Sequence, residues 1–361
     1  MFRQRVICTV GRSLLTNFEK EDPNLKTAFS KESIVKRLIS EDPSEKICGA
    51  EINSTYSIVK QGFVHDKYDI FLLVSDTEDG RKTGEVLKDY FENERSPLKF
   101  TNVYIKEIKG LTGEERFEFR NKGLKEIANT LVDLSSQSPE TTIINATGGY
   151  KAQISFATLI GQILKIPVYY MFEGFNEIIE LPPMPVSFDY SFWMKNYDLL
   201  ESLEKLEANE EIVRSADPQL KVLFDFEKGG NEKIYGLSPM GVIFHKSFKE
   251  LFKTDTNNLP SKRTSDPKYI SSSNEPNSSR FDEKYGISKK LLEIPYIKEL
   301  RCSYYNPNSD YKTKVNVKGD DFEIYFTKNG ETIGFIAKTT AKTENQKIAL
   351  KIHIEEAMKR W

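Results

Sequence analysis

The chain is poor in the residues that fix a fold or a metal through bonds to side chains. Of 361 residues, three are cysteine and three are histidine. Cys8, Cys48 and Cys302 are scattered, which argues against a disulfide framework and fits a reducing cytoplasm. His65, His245 and His353 are scattered too, so no Cys/His cluster with zinc-ligand spacing exists and no metal is expected. No run of 18 apolar residues occurs, so no transmembrane helix is expected. The opening MFRQRVICTVGRS has too short an apolar run for a signal peptide. Neither a G-x-x-x-x-G-K phosphate loop nor a G-x-G-x-x-G fingerprint appears, which disfavours a dinucleotide, and no cofactor is expected.

What is present is an ordinary globular balance, 38% hydrophobic and 29% charged, in a length that suits two or three domains. The net charge of −2 is unevenly spread. Residues 285–361 carry 14 Lys/Arg against 10 Asp/Glu, leaving the remainder at −6. A basic C-terminal unit hints at contact with a polyanion.

Apolar and β-branched runs at 3–10, 68–75, 101–108, 141–146, 167–172 and 177–181 read as strands. Between them, 80–94, 121–134 and 150–164 read as helices. In 121–134 the positions Leu124, Ile127, Ala128, Leu131 and Leu134 keep helical spacing. Alternating strands and helices predict an α/β domain with a largely parallel sheet, and a run such as FLLV fits burial on both faces. The prolines of 181–186 close this domain at 1–186. A helical connector follows over 187–253. Its stretch LSPMGVIFHKSFKEL, with Ser238 as cap and Pro239 at the first helical position, reads either as the third helix of a winged helix or as a packing helix. Residues 254–284, rich in Ser, Asn, Pro and charge, read as a flexible linker. A compact α+β unit over 285–361 has a helix near 286–300, strands at 311–317, 321–327 and 331–338, and a last helix opened by the Thr343/Gln346 capping box.

In an open parallel sheet, ligands sit at the carboxyl ends of the strands. Three polar or glycine-rich turns fall there: Thr9 to Leu14 with Gly11, Arg12 and Ser13; Ser75 to Gly80 with Asp76 and Thr77; and Asn145 to Lys151 with Thr147, Gly148 and Gly149. The last combines close backbone approach, a helix N-terminus and a cation, which suits phosphate or ribose. Lys151 stands against the helix dipole, a placement that points to function rather than to helix stability.

Together, VICTVGRSLLTN, LLVSDTEDG and INATGGYKAQISFATLIGQIL resemble the CARF family of CRISPR-associated sensors over roughly residues 1–186. That resemblance implies a Rossmann-like homodimer binding cyclic oligoadenylate in a cleft on its two-fold axis. Gly11, Arg12, Ser13, Leu14, Asn145, Thr147, Gly148, Gly149 and Lys151 would line the cleft. Ser75, Asp76 and Thr77 would contact a base or ribose. An even-numbered ring suits a two-fold axis, so cyclic tetra-adenylate is the expected allosteric activator. No clear general base for cleaving the ring is visible, and such activity stays open.

The C-terminal segments KELRCSYYNPNSDYKTKVNV, DFEIYFTKN and ETIGFIAKTTAKTENQKIALKIHIEEAMKRW resemble the RelE toxin family. The resemblance implies metal-independent cleavage of mRNA on the ribosome by cationic and tyrosine side chains. The 2′-hydroxyl attacks the adjacent phosphate, cations stabilise the phosphorane, and other groups move protons. Lys312 and Lys314 alternate and would share one strand face, with Tyr311 beside them. Lys338 and Lys342 flank a turn where the family often carries arginine, and lysine lacks the bidentate fork. Lys318 is the one cation near the family's mid-sheet arginine. Trp361 or Arg360 falls where the family has a terminal aromatic.

Two other effectors remain open on the residues. A metal-dependent nuclease of restriction-enzyme type would use Asp320 or Asp321 and an E-x-K strand, but Ile336 stands two residues before Lys338. A ligand-responsive transcription factor would use 188–253 as a DNA-binding winged helix, against the acidic balance outside the C-terminus.

Overall fold

The structure is a computed structural model describing residues 3–113, 115–172, 177–185, 190–229, 232–254, 257–271, 276–309 and 311–361. Residues 186–189 and 230, and parts of the 254–284 stretch, lie outside these. The chain forms two compact units, Met1–Phe188 with Leu199–Glu250, and Asp189–Asp198 with Leu251–Trp361.

The first unit opens with β1 (Arg5–Thr9), α1 (Ser13–Glu21), α2 (Lys31–Ser40) and α3 (Gly49–Lys60). There follow β2 (Asp69–Ser75), α4 (Glu78–Glu92), β3 (Asn102–Ile108), the short α5 (Arg116–Glu118), α6 (Leu124–Gln137), β4 (Thr142–Asn145), α7 (Lys151–Leu164), β5 (Val168–Met171) and β6 (Ile178–Leu181). The strand order is β3-β2-β1-β4-β5-β6, parallel throughout except for β6 on β5. This is the 3-2-1-4-5-6 order of doubly wound α/β sheets. Each of the six strands expected in this unit is present within two residues of its expected bounds.

Strand alternation divides the core. Val6, Cys8, Ile70, Leu72, Val74 and Ile143 pack with Leu14 and Phe18 of α1, Leu38 of α2, Ile52 of α3 and Phe91 of α4. Ile7, Leu73 and Ile144 face the other way and are equally buried, with α6 packed against β1 and β3. Each such aliphatic side chain contributes roughly 1.5–3 kcal/mol of burial. The sheet is therefore sealed on both faces, and a ligand has access at strand ends. The order reverses between β1 and β4, which places a crevice beside Gly11 and Gly148.

Beyond β6 lie α8 (Tyr190–Lys195), α9 (Tyr197–Glu204), α10 (Glu210–Arg214), the hairpin β7 (Phe224–Gly229) and β8 (Glu232–Leu237), and α11 (Pro239–Thr254). Ser238 caps α11 by accepting from the Gly241 amide at 3.1 Å. A helix-turn-helix needs a helix and a short turn ahead of the recognition helix. Here a β-hairpin precedes α11, and Val242, Ile243, His245 and Phe248 are buried. Of the two readings of this segment, these features suit the packing helix better than the winged helix.

The second unit holds β9 (Lys268–Ile270), α12 (Pro276–Tyr285), α13 (Ile287–Glu293), β10 (Ile297–Asn306), β11 (Lys314–Lys318), β12 (Asp321–Lys328), β13 (Glu331–Thr339) and α14 (Glu344–Met358). Its sheet order is β11-β12-β13-β10-β9, with β9 parallel to β10 and the other pairs antiparallel. The linker reading of 254–284 is corrected: β9 joins this sheet, and α12 places Phe281 in the core. The helix expected over 286–300 stops at Glu293, because Pro295 turns the chain and the β-patterned run after it becomes β10. Phe322, Ile324, Phe335 and Ala337 face the helices, packing with Leu291, Leu350 and Ile354. The opposite face of the sheet carries the polar and tyrosine residues. The Thr343/Gln346 capping box forms as expected at the start of α14.

Candidate functional site

At the carboxyl ends of β1 and β4 the two glycine turns touch. Thr9 Oγ1 donates to the Gly148 carbonyl at 2.6 Å. A Cβ on Gly11 would lie 2.6 Å from the Gly149 amide nitrogen, so only glycine permits this approach. Gly149 has φ +93°, a conformation glycine adopts freely. Among the described residues, the amides of Gly148, Gly149 and Lys151 meet no acceptor, and the exposed Lys151 ammonium makes no ion pair. The Tyr150 amide is satisfied by Gln153 Oε1 at 2.5 Å. Free donors, a helix N-terminus and one cation make a receptor for an anion.

Beneath both turns lies a residue that sequence reasoning missed. Glu51, in the first turn of α3, is fully buried. Its Oε1 accepts from the Gly11 amide at 2.7 Å, and Oε2 lies 3.4 Å from Ser13 Oγ, which itself accepts from the Ala50 amide at 2.9 Å. A Cβ on Gly148 would fall 2.1 Å from Glu51 Oε1. Burial pushes the Glu51 carboxyl above the ordinary range, only partly opposed by its hydrogen bonds to Gly11 and Ser13. A glutamate at a buried helical position looks like any solvated glutamate in sequence; the one available signal was its company of small residues, Gly49, Ala50, Ser54 and Thr55.

The other expected ligand residues divide by burial. Asn145 is fully buried and donates to Ser54 Oγ and Thr55 Oγ1 at 2.8 and 3.2 Å. Its Oδ1 accepts from Thr147 Oγ1 at 2.8 Å, and Thr147 Oγ1 accepts from the Met171 amide. These two hold the turn rather than line the crevice. Leu14 is likewise a core residue, fully buried, and its expected place on the cleft surface is corrected. Ser75 and Thr77 bond each other at 2.8 Å, and Thr77 caps α4 through the Gly80 amide. Asp76 Oδ2 accepts from the Gly110 amide at 2.7 Å, tying the second turn to the end of β3. Arg12 is exposed and bridges Glu19 at 3.1 Å and Asp79 at 2.5 Å, linking the first and second turns. Arg12, Glu19, Asp79 and Lys82 rim a separate cavity of about 260 Å³ floored by Leu15, Phe18 and Phe29.

In the second unit, one row across the sheet reads Lys314, Tyr325, Gly334, Tyr304. Tyr311 stacks on Tyr325 with centroids 5.7 Å apart, and Lys314 Nζ lies 5.6 Å from the Tyr311 ring centre. A Cβ on Gly334 would lie 2.8 Å from the Tyr304 Cβ, so glycine admits the tyrosines. Aromatic faces beside cations suit the bases and phosphates of a single strand. The expected alternation of Lys312 and Lys314 on one strand is corrected. β11 starts at Lys314, because Thr313 pairs with Thr327 through its side chain, donating to the carbonyl and accepting from the amide. Lys312 lies ahead of the strand and is exposed. Lys338 reaches Glu299 at 3.2 Å on the same face, and Lys342 is exposed ahead of α14. Tyr311 and Lys314 are brought together; Lys338 sits a few residues along the sheet, in the row of Lys318, Asp321 and Glu299.

Two arrangements bear on metals. Asp320, the acid suggested for a metal nuclease, is bound by Lys347 at 2.9 Å, and Asp321 lies opposite Lys338. Elsewhere, Glu201 and Glu204 of α9 and His245 of α11 bring ligand atoms within 4.8 Å of one another. Both carboxylates already hold Lys249. Burial would raise Glu204, but His245 and Lys249 bring it down to about 2. A lysine in that position competes with a cation for the same oxygens, so the cluster reads as a buried ion network.

Residues 46–184 match the model of a family described as CRISPR-associated protein (Cas_APE2256). The match runs from the residues before α3 to just past β6, and so includes Glu51, the Ser75 turn and the Asn145–Lys151 turn. It ties this part of the chain to CRISPR-associated proteins. None of the helices among the described residues is long and apolar enough to cross a membrane.

Proposed function

We propose that the chain is an ancillary effector of a CRISPR system, switched by cyclic oligoadenylate. The first unit forms a homodimer that takes the ring, most simply cyclic tetra-adenylate, between the Gly11 and Gly148 turns of two chains. The second unit is a metal-independent endoribonuclease of RelE type that cuts mRNA on the ribosome. The observation that carries the reading is the convergence of two glycine turns, unsatisfied amides and Lys151 at the point where the strand order reverses; the Asn145–Lys151 turn lies within the stretch matching a CRISPR-associated family, and the Gly11 turn precedes that stretch. The effector half is supported by Tyr311, Tyr325 and Tyr304 beside Lys314 on one sheet face. Lys312, Lys338 and Lys342, away from that row, are assigned to contacts with further phosphates of the RNA. Ligand must favour the active arrangement over the resting one for the switch to operate.

The test is RNA cleavage with and without cyclic tetra-adenylate, on free RNA and on translating ribosomes, in Mg²⁺ and in EDTA with polyamines keeping ribosomes intact. Ligand-dependent cleavage of ribosome-bound mRNA that survives EDTA is expected. Cleavage of free nucleic acid that requires Mg²⁺ would move the effector to the metal nucleases.

A further inference from the structure

Glu51 is an acid placed where an anion is expected. Its carboxyl sits directly under both glycine turns, bonded to the Gly11 amide and in van der Waals contact with Gly148, and it makes no ion pair among the described residues. The titratable and charged groups around it are few. On β1 the neighbour is the buried Cys8 thiol. At the start of α1 it is Arg12, whose guanidinium is turned to Glu19 and Asp79. At the start of α7, past the Gly148–Gly149 turn, come Tyr150 and Lys151, neither of them bonded to the carboxyl. On α3 itself and from β4, the neighbours Ser54, Thr55 and Asn145 are neutral. Among the described residues no cation pairs with the carboxylate, so a phosphate held on the amides of the two turns meets a like charge behind them.

Two acids forced close together cannot both stay ionised without cost; the one that can take a proton does so. We propose that Glu51 is a proton-linked positioning residue: a phosphate anion bound between the Gly11 and Gly148 turns is accompanied by protonation of the Glu51 carboxyl, which keeps the turns in place while giving up its charge. One proton is taken from solvent per occupied turn pair, and it is released when the anion leaves. The protonated carboxyl still accepts from the Gly11 amide through Oε1 and presents O–H to Ser13 Oγ, so the strut survives the change of charge. Burial already pushes this carboxyl up, which brings its proton uptake toward neutral pH. The linkage has a definite sign. The anion raises the carboxyl's affinity for the proton, so binding is tightest below the free carboxyl's titration and weakens as pH rises through it, until the titration of the bound form is passed.

The inference rests on the ligand reading above, and the experiment separates the two. Full-length protein and Glu51→Gln are titrated calorimetrically with cyclic tetra-adenylate in two buffers of different ionisation enthalpy, from pH 5 to 9. Glutamine keeps the acceptor for Gly11 and a donor for Ser13 but cannot titrate. Expected are proton uptake by the wild type, an affinity falling by up to about tenfold per pH unit over the linked window, and a nearly flat profile with no Glu51-linked uptake in Glu51→Gln. Equal uptake and parallel profiles in both proteins would overturn the inference while leaving the ligand assignment standing. If cyclic tetra-adenylate fails to bind, the ligand reading falls, and the ¹³C titration of the Glu51 carboxyl, assigned by its loss in Glu51→Gln, decides the rest with pyrophosphate as probe. An upward move of that titration with pyrophosphate supports the proton link; an unmoved one removes it.

Discussion

Gly11→Ala isolates the contact on which the crevice depends. Gly11 does not occupy the left-handed region, so alanine meets no backbone strain there and the whole effect is steric. The new methyl carbon would lie 2.6 Å from the Gly149 nitrogen and 3.3 Å from its Cα. Ordinary contact begins near 3.4 Å, so the two turns must separate by about 0.8 Å. No flexible side chain can absorb this, because the opposing atoms are backbone and the Gly148 carbonyl is held by Thr9. Overpacking of this kind costs about 1–3 kcal/mol. In a unit of this size that is a fall in Tm of roughly 2–12 °C. Binding should weaken about tenfold for each 1.4 kcal/mol by which the ligand must pull the turns back together. Gly113→Ala is the control: its Cβ would meet only the end of the Tyr150 side chain, at 3.2 Å, which can shift. Thermal unfolding and calorimetric titration of both variants against wild type measure the difference. A Gly11→Ala protein with wild-type Tm and affinity would refute the claim that the turns are held at contact distance.

Other outcomes follow from the same geometry. Glu51 has a folded-state pKa above its unfolded value, so its contribution to stability is fully present below about pH 4.5 and is lost as pH rises through the folded value. Glu51→Gln should therefore be more stable than wild type at pH 8, the gap closing toward pH 4 in parallel melts. Lys151→Ala should fold with an unchanged melt, since its side chain makes no ion pair, yet lose the response of cleavage to ligand. Lys314→Ala should lose cleavage of ribosome-bound mRNA by at least tenfold and keep ligand affinity, with Lys312→Ala the weaker of the two because it lies off the strand; wild-type rates in both would remove the catalytic assignment.

The strands β1 to β6 were legible because each is a continuous apolar run between turn residues, which is how a strand buried on both faces must read. The turns at their ends were legible for the same reason: glycines and hydroxyls follow directly on those runs. The helices α1 to α3 were not, and with them went Glu51. α1 and α2 are short, their apolar positions (Leu14, Leu15 and Phe18; Ile34, Val35 and Leu38) spread over no more than three turns; α3 buries Gly49, Ser54, Thr55 and Ser57 beside Ile52 and Ile58, and nothing in a single glutamate announces that two turns will close over it. Leu14 was misplaced because a turn motif says where the backbone goes and not which way each side chain faces; as the second residue of α1 it turns into the core. The 254–284 stretch reads as linker by composition, yet three residues of ladder in β9, Arg263 donating to the carbonyls of Leu292, Ile294 and Ile297, and the buried Phe281 dock it. β11 begins at Lys314 and not at 311, since Thr313 substitutes side-chain bonds for the ladder and carries no apolar signal of its own.

The most direct test of the central claim is the stoichiometry of ligand binding. Cyclic tetra-adenylate titrated into the full-length protein should bind with one ring per two chains, and Gly148→Ala, whose Cβ would strike Glu51 at 2.1 Å, should abolish the heat. No binding by the wild type, or one ring per chain with Gly148→Ala unaffected, would contradict the account.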